Sequence, residues 1–146
     1  MSELSESDEW ETPTEIFISL INKYDFNPTL DVCATEQNAQ LDNFYTKEDN
    51  ALEQNWDPKN WCNVPNSKPN KELFVKKAHE EFTKFGHETM MILPIDSLCT
   101  VYAKKYVLDY NVFFEPITRR IRFLMDGEEI DNAKKGYCVI IWRKLK

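Results

Sequence analysis

Three apolar runs of this sequence break off in polar side chains. Leu30-Asp31-Val32-Cys33-Ala34 carries Asp31, Trp61-Cys62-Asn63 ends in Asn63 before Pro65, and Thr89 to Leu93 gives way to Pro94 and Asp96. Ligands of α/β sheets sit beyond the carboxyl ends of the strands, where loops expose polar groups. A carboxylate and a carboxamide on such ends form a rim that can hold a polar ligand through hydrogen bonds. No glycine precedes Gly86, so the Gly-rich loops that cradle phosphates are missing where a dinucleotide or nucleoside triphosphate would need them. That disfavours a dehydrogenase or an ATPase. Cys33, Cys62, Cys99 and Cys138 are scattered beside apolar residues without paired metal spacing, the pattern of reduced core thiols, and no metal is expected. His79 and His87 show no partner pattern and are assigned no role.

The elements that must position this rim follow from periodicity. Residues 1–8 are polar and acidic and are expected to form a disordered tail, with a single domain over residues 9–146. Thr12 as N-cap, Pro13 at the first helical position and Glu15 at the capping-box position open a helix, and Ile16, Phe17, Leu20 and Ile21 supply its apolar face as far as Tyr24. Thr29 to Ala34 is a short buried strand, Glu36 to Asn43 is helix-compatible, Phe44 to Asn55 is irregular, and a second strand surrounds Trp61-Cys62-Asn63. Lys71 to Phe85 is an amphipathic helix with Leu73, Phe74, Ala78, Phe82 and Phe85 on one side, stopped by Gly86. Thr89 to Leu93 is a buried strand, Val101 to Leu108 a short helix, Val112 to Phe114 and Ile117 to Leu124 strands, and Tyr137 to Trp142 a closing strand. The alternation predicts an α/β sheet of mostly parallel strands, helices on both faces and an antiparallel C-terminal edge.

Placed along this order, six segments together resemble the phage-type DNA N-6-adenine-methyltransferase family. They are Asp8-Glu9-Trp10-Glu11-Thr12-Pro13; Leu30-Asp31-Val32-Cys33-Ala34-Thr35 with Asn38-Ala39; Glu48-Asp49-Asn50-Ala51-Leu52 with Trp56; Trp61-Cys62-Asn63-Val64-Pro65-Asn66-Ser67; Leu93-Pro94-Ile95-Asp96-Ser97; and Arg119-Arg120-Ile121-Arg122-Phe123. The resemblance covers most of the chain from Asp8 to Trp142. It implies a compact Rossmann-like sheet and transfer of a methyl group from S-adenosylmethionine, which carries no phosphate, to adenine in DNA. Trp10, Thr12 and Pro13 would border the methionine end of the cofactor, with Asp31 and Ala34 beneath it. Asp49 and Ala51, beside Leu52, would approach the adenosine. The fourth segment is similar to the Asn-Pro-Pro-Tyr motif that holds the target amine: Asn63 and Pro65 match, while Val64 and Asn66 stand where the first Pro and the Tyr would be. An aromatic at the last position normally stacks on the extruded base, and Phe44, Tyr45, Trp56 or Trp61 could take its place.

The formal net charge is −7. Residues 1–67 hold 14 acidic and 3 basic side chains, whereas residues 68–146 hold 11 and 15, so the second half can face phosphates. Arg119, Arg120 and Arg122 on a predicted strand, Lys104 and Lys105 on the helix before it, and Lys68, Lys71, Lys76 and Lys77 around the motif loop are the phosphate-contact candidates. No run approaches the ~18 apolar residues of a membrane span, and the acidic N-terminus is no signal peptide, so a soluble cytoplasmic protein without a membrane partner is expected. The size leaves no obvious target-recognition domain, which implies a homodimer or low specificity. The rival reading, favoured by Val64, Asn66 and the acidic balance, is a catalytically degenerate relative acting as a nucleic-acid or protein-binding module. A third, methylation of another amine such as cytosine or a protein side chain, would keep cofactor binding.

Overall fold

The computed structural model describes residues 11–65, 70–118, 121–125, 127–129 and 136–144. Among these residues, seven strands and three α-helices follow in the order α1 (Thr14–Lys23), β1 (Leu30–Asp31), β2 (Lys59–Asn63), α2 (Asn70–Phe85), β3 (Glu88–Pro94), α3 (Val101–Tyr106), β4 (Phe113–Ile117), β5 (Leu124–Met125), β6 (Glu128–Glu129) and β7 (Tyr137–Trp142). Five strands form one sheet in the order β1-β2-β3-β7-β4, and β5 and β6 form a separate hairpin. The first three strands are parallel, and β7 runs antiparallel to both β3 and β4. The C-terminal strand is antiparallel as expected, but it lies inside the sheet, with β4 outside it. The reason is composition: every residue of β7 is buried, whereas Phe113 and Phe114 of β4 are exposed, so β7 can occupy only an interior position.

The pleat divides the strand side chains between two cores. Cys62, Met91, Leu93, Cys138, Ile140 and Trp142 face α2 with Phe74, Val75 and Ala78, while Trp61, Met90, Ile92, Val139 and Ile141 face α1 with Ile16, Phe17 and Leu20. Helices therefore cover both faces, as the alternation predicts. Among the described residues no helix is long and apolar enough to cross a membrane.

Several local expectations are corrected. Pro13, not Thr12, holds the N-cap position of α1, and no side chain caps it. Residues 36–43 form turns rather than a helix. Leu73 and Phe85 of α2 are exposed, and the buried face instead includes His79 and Glu81. Ile117 to Leu124 is not a continuous strand: β4 ends at Ile117, and Ile121 and Phe123 turn in to cover the α1-side core. Cys62 and Cys138 are core thiols, but Cys99 is exposed. Helix α2 stops at Gly86, whose φ of +71° only glycine takes without strain.

Candidate functional site

Because β1, β2 and β3 are parallel, their carboxyl ends share one rim. Asp31 pairs with Trp61, and Asn63 pairs with Ile92, which puts Asp31 and Asn63 on adjacent strands, two residues apart in register. The third strand delivers Pro94 and then a 3₁₀ turn over Ile95–Cys99.

Asp31 is the most perturbed group on this rim. It is 2% exposed; Oδ1 accepts the Cys33 N–H at 3.2 Å and Oδ2 the Gln40 N–H at 3.0 Å. Burial pushes its carboxyl up to about 7, against these two N–H groups, which favour the charged form. The segment after it folds back along β1: the Asp31 N–H donates to the Asn43 carbonyl, and the Asp31 carbonyl accepts the Tyr45 N–H. Between these contacts, Thr35 and Asn38 cap each other, with each side-chain oxygen accepting the other's N–H at 2.7 and 3.2 Å. The turn cannot grow into the helix its composition allows, because the Gln40 N–H is committed to Asp31.

Thr12 reaches the same place from the other side of the chain. Its carbonyl accepts the Gln40 side-chain amide at 2.7 Å. Its hydroxyl is buried and has no partner among the described residues. Such an orphan carries a cost of about 1–3 kcal/mol unless a ligand satisfies it. Pro13 is half-buried and Ala34 buried. Thr12 and Asp31 thus belong to one enclosed region, joined through Gln40, and Ala34 lies three residues beyond Asp31 on the same segment. Asp49 differs: it is exposed, and Oδ2 accepts the Thr46 N–H at 2.8 Å and its hydroxyl at 3.1 Å, closing a local turn. Ala51 is buried, and its carbonyl accepts the Trp56 indole N–H at 2.9 Å.

At the motif, Asn63 is half-buried and Pro65 buried. Val64 is 3% exposed and belongs to the α2-side core with Leu30, Cys62, Val75 and Leu93. Trp61 is fully buried, edge-on to Phe17 at 4.8 Å, and Trp56 is 3% exposed and stacked on Phe74. Neither indole presents a face to a base. Phe44 and Tyr45 are half-buried, and the Tyr45 hydroxyl donates to the Asn55 carbonyl. Trp10, Asn66, Lys68, Arg119 and Arg120 lie outside the described residues. Arg122 is exposed and outside any strand, contrary to expectation.

Three further residues have surroundings to which the sequence reading assigned no role. Gln40 sits in a polar stretch that carries no signal of its contacts. Ser97, at the end of the β3 segment, has a buried hydroxyl without a partner among the described residues. Glu81 is 2% exposed and accepts from the Trp56 N–H, Lys77 and His87, at 3.1, 3.1 and 2.9 Å. Burial pushes its carboxyl up, but His87, Lys77 and the Trp56 N–H outweigh burial and hold it below the ordinary value. Its signal was present: a charge seven residues after Phe74 falls on the apolar side of α2.

No solved structure matches the chain. The DNA N-6-adenine-methyltransferase of Escherichia phage T1 is 29% identical over 156 residues, an alignment covering 95% of this chain and 64% of that protein. The DNA N-6-adenine-methyltransferase of Haemophilus phage HP1 is 29% identical over 147 residues, covering 94% of this chain and 80% of the relative. The profile of the family described as DNA N-6-adenine-methyltransferase (Dam) matches residues 2–146, and the chain belongs to that family.

Proposed function

We propose that the chain is a DNA adenine-N6 methyltransferase that takes its methyl group from S-adenosylmethionine, on a Rossmann-like sheet formed as a single domain. The observation that carries this reading is the pairing of an enclosed polar region, with Asp31 and the orphan Thr12 hydroxyl, and an amide acceptor, Asn63, one strand away. When bound, S-adenosylmethionine supplies an electrophilic methyl group on a sulfonium.

The chain's residues fit that cofactor. Asp31 supplies a carboxylate for the methionine ammonium, Thr12 a hydroxyl whose hydrogen-bonding capacity the described residues leave unused, and Ala34 a small side chain under them. Pro13 would border this end, and Asp49 and Ala51 would approach the adenosine. The missing Gly-rich cradle is consistent with a ligand that has no phosphate to hold.

Asn63 acts on the substrate. Its side-chain oxygen and the Val64 carbonyl accept the two N–H bonds of the adenine amine, which turns the nitrogen lone pair out of the ring and toward the methyl group. The two carbonyl dipoles would stabilise the positive charge that the amine nitrogen acquires on taking up the methyl group, until its proton leaves to solvent. Val64 makes this geometry rigid by a different device from proline: its side chain is locked in the core. Extruding the base costs a few kcal/mol, and Arg122, with Arg119, Arg120 and Lys68, supplies phosphate contacts that hold the duplex meanwhile.

Incubation with methyl-labelled S-adenosylmethionine and mixed-sequence duplex DNA tests the assignment. Label should enter DNA with the wild type and fall at least a hundredfold with Asn63→Ala, on the order of the loss of one preorganised polar group. Cofactor binding without incorporation into DNA would favour another amine as target, and neither binding nor incorporation would favour a binding module.

A further inference from the structure

Gln40 bonds to both sides of the enclosed region at once. Its backbone N–H donates to Asp31 Oδ2 at 3.0 Å, and its side-chain Nε2 donates to the Thr12 carbonyl at 2.7 Å. The residue before Thr12 is fixed from the opposite direction. Glu11 exchanges two backbone hydrogen bonds with Leu124, at 2.6 and 2.8 Å, and its Oε1 accepts the Gly127 N–H at 3.1 Å. The strand-like arm before α1 is thus clamped between the β5–β6 hairpin and the Gln40 side chain. Thr12 precedes a proline, which restricts its backbone to the extended region, and the Gln40 bond to its carbonyl fixes the backbone that carries a hydroxyl with no partner among the described residues.

We infer that Gln40 is a positioning residue for cofactor binding: it locks the Thr12 peptide against the Asp31 carboxylate, so that hydroxyl and carboxylate present a fixed pair of groups. This rests on the reading of Thr12 and Asp31 as the cofactor's methionine end. The two bonds are separable by mutation, since any side chain at position 40 other than proline keeps the N–H to Asp31. Substitution therefore reports on the Thr12 link alone.

The full chain is assayed as wild type, Gln40→Ala, Gln40→Glu and Gln40→Lys for methyl transfer to duplex DNA, with KM for S-adenosylmethionine, KM for DNA and kcat measured separately. Alanine removes the donor, glutamate sets an acceptor against the Thr12 carbonyl, and lysine restores a donor of similar reach. The expected result is a rise of about tenfold in the cofactor KM for Gln40→Ala and Gln40→Glu, the equivalent of one hydrogen bond. kcat and the DNA KM should stay within about twofold, and Gln40→Lys should recover most of the loss. A wild-type cofactor KM in Gln40→Ala overturns the inference alone. So does an equal loss in all three variants, or a parallel rise in both KM values. A wild type that neither binds S-adenosylmethionine nor transfers a methyl group overturns the reading of the site beneath it.

Discussion

Replacing Asp31 by asparagine should change the pH dependence of stability in a calculable way. The carboxyl is raised to about 7 by burial, from an ordinary value of 3.8. Between those two values the folded chain holds a proton that the unfolded chain has lost, so the Asp31 contribution to stability falls as pH rises through this window and levels off above about 7. At ~1.36 kcal/mol per pH unit, the cost relative to an uncharged group grows by about 3 kcal/mol between pH 5 and pH 8. The asparagine variant carries no such cost at any pH. It does set an amide N–H against one of the two N–H donors, from Cys33 and Gln40, that now share the carboxylate, at about 1–3 kcal/mol and independently of pH. Urea unfolding of both proteins from pH 5 to pH 8 isolates the effect, because every other titration cancels in the difference. The variant should gain about 3 kcal/mol on the wild type across the range, with most of the change below pH 7 and unchanged m-values. A difference that stays flat with pH would refute the account of Asp31 as a carboxyl desolvated by the fold.

The same group predicts that S-adenosylmethionine binds about tenfold more tightly at pH 8 than at pH 6, because the ammonium favours the ionised carboxylate; isothermal calorimetry at the two pH values checks this, and a pH-independent Kd would count against Asp31 as the ammonium partner. Glu81→Gln should lower stability by about 2–3 kcal/mol near pH 7 by weakening the charge-assisted bonds from His87 and Lys77, read from the urea midpoint. Since its carboxyl is held below the ordinary value, the Glu81 contribution is present above the unfolded value near 4.5 and lost as pH falls below it. Gly86→Ala should cost about 1–2 kcal/mol because φ is +71°, the added Cβ meeting only the movable end of the Lys144 side chain; thermal melting measures it, and an unchanged midpoint would contradict the turn geometry.

The long apolar strands were legible in the sequence because burial on both faces removes any need for alternation: Thr89 to Leu93 and Tyr137 to Trp142 read as uninterrupted runs. Their pairing was not: the apolar run of β7 marks it as interior, but nothing in it names β3 and β4 as its neighbours. Helix α2 was legible in extent but not in its full buried face, because Glu81 reaches partners on other elements that periodicity cannot see. At the site, Asp31 and Asn63 could be read from strand ends and motif order. Gln40 could not, since both of its contacts are long-range and its own segment looked helical. Thr12 read both as a helix cap and, by the resemblance, as a cofactor neighbour; the cap position belongs to Pro13, and the Thr12 hydroxyl is buried without a partner among the described residues.

In the function proposed above, Asn63 presents an adenine amine of DNA to a methyl donor held at Asp31 and Thr12. Its most direct test is nucleoside analysis by mass spectrometry of duplex DNA incubated with the full chain and S-adenosylmethionine. The account predicts N6-methyladenine as the product and its loss in Asn63→Ala. Methylation of cytosine instead, or N6-methyladenine formed equally well by Asn63→Ala, would contradict it.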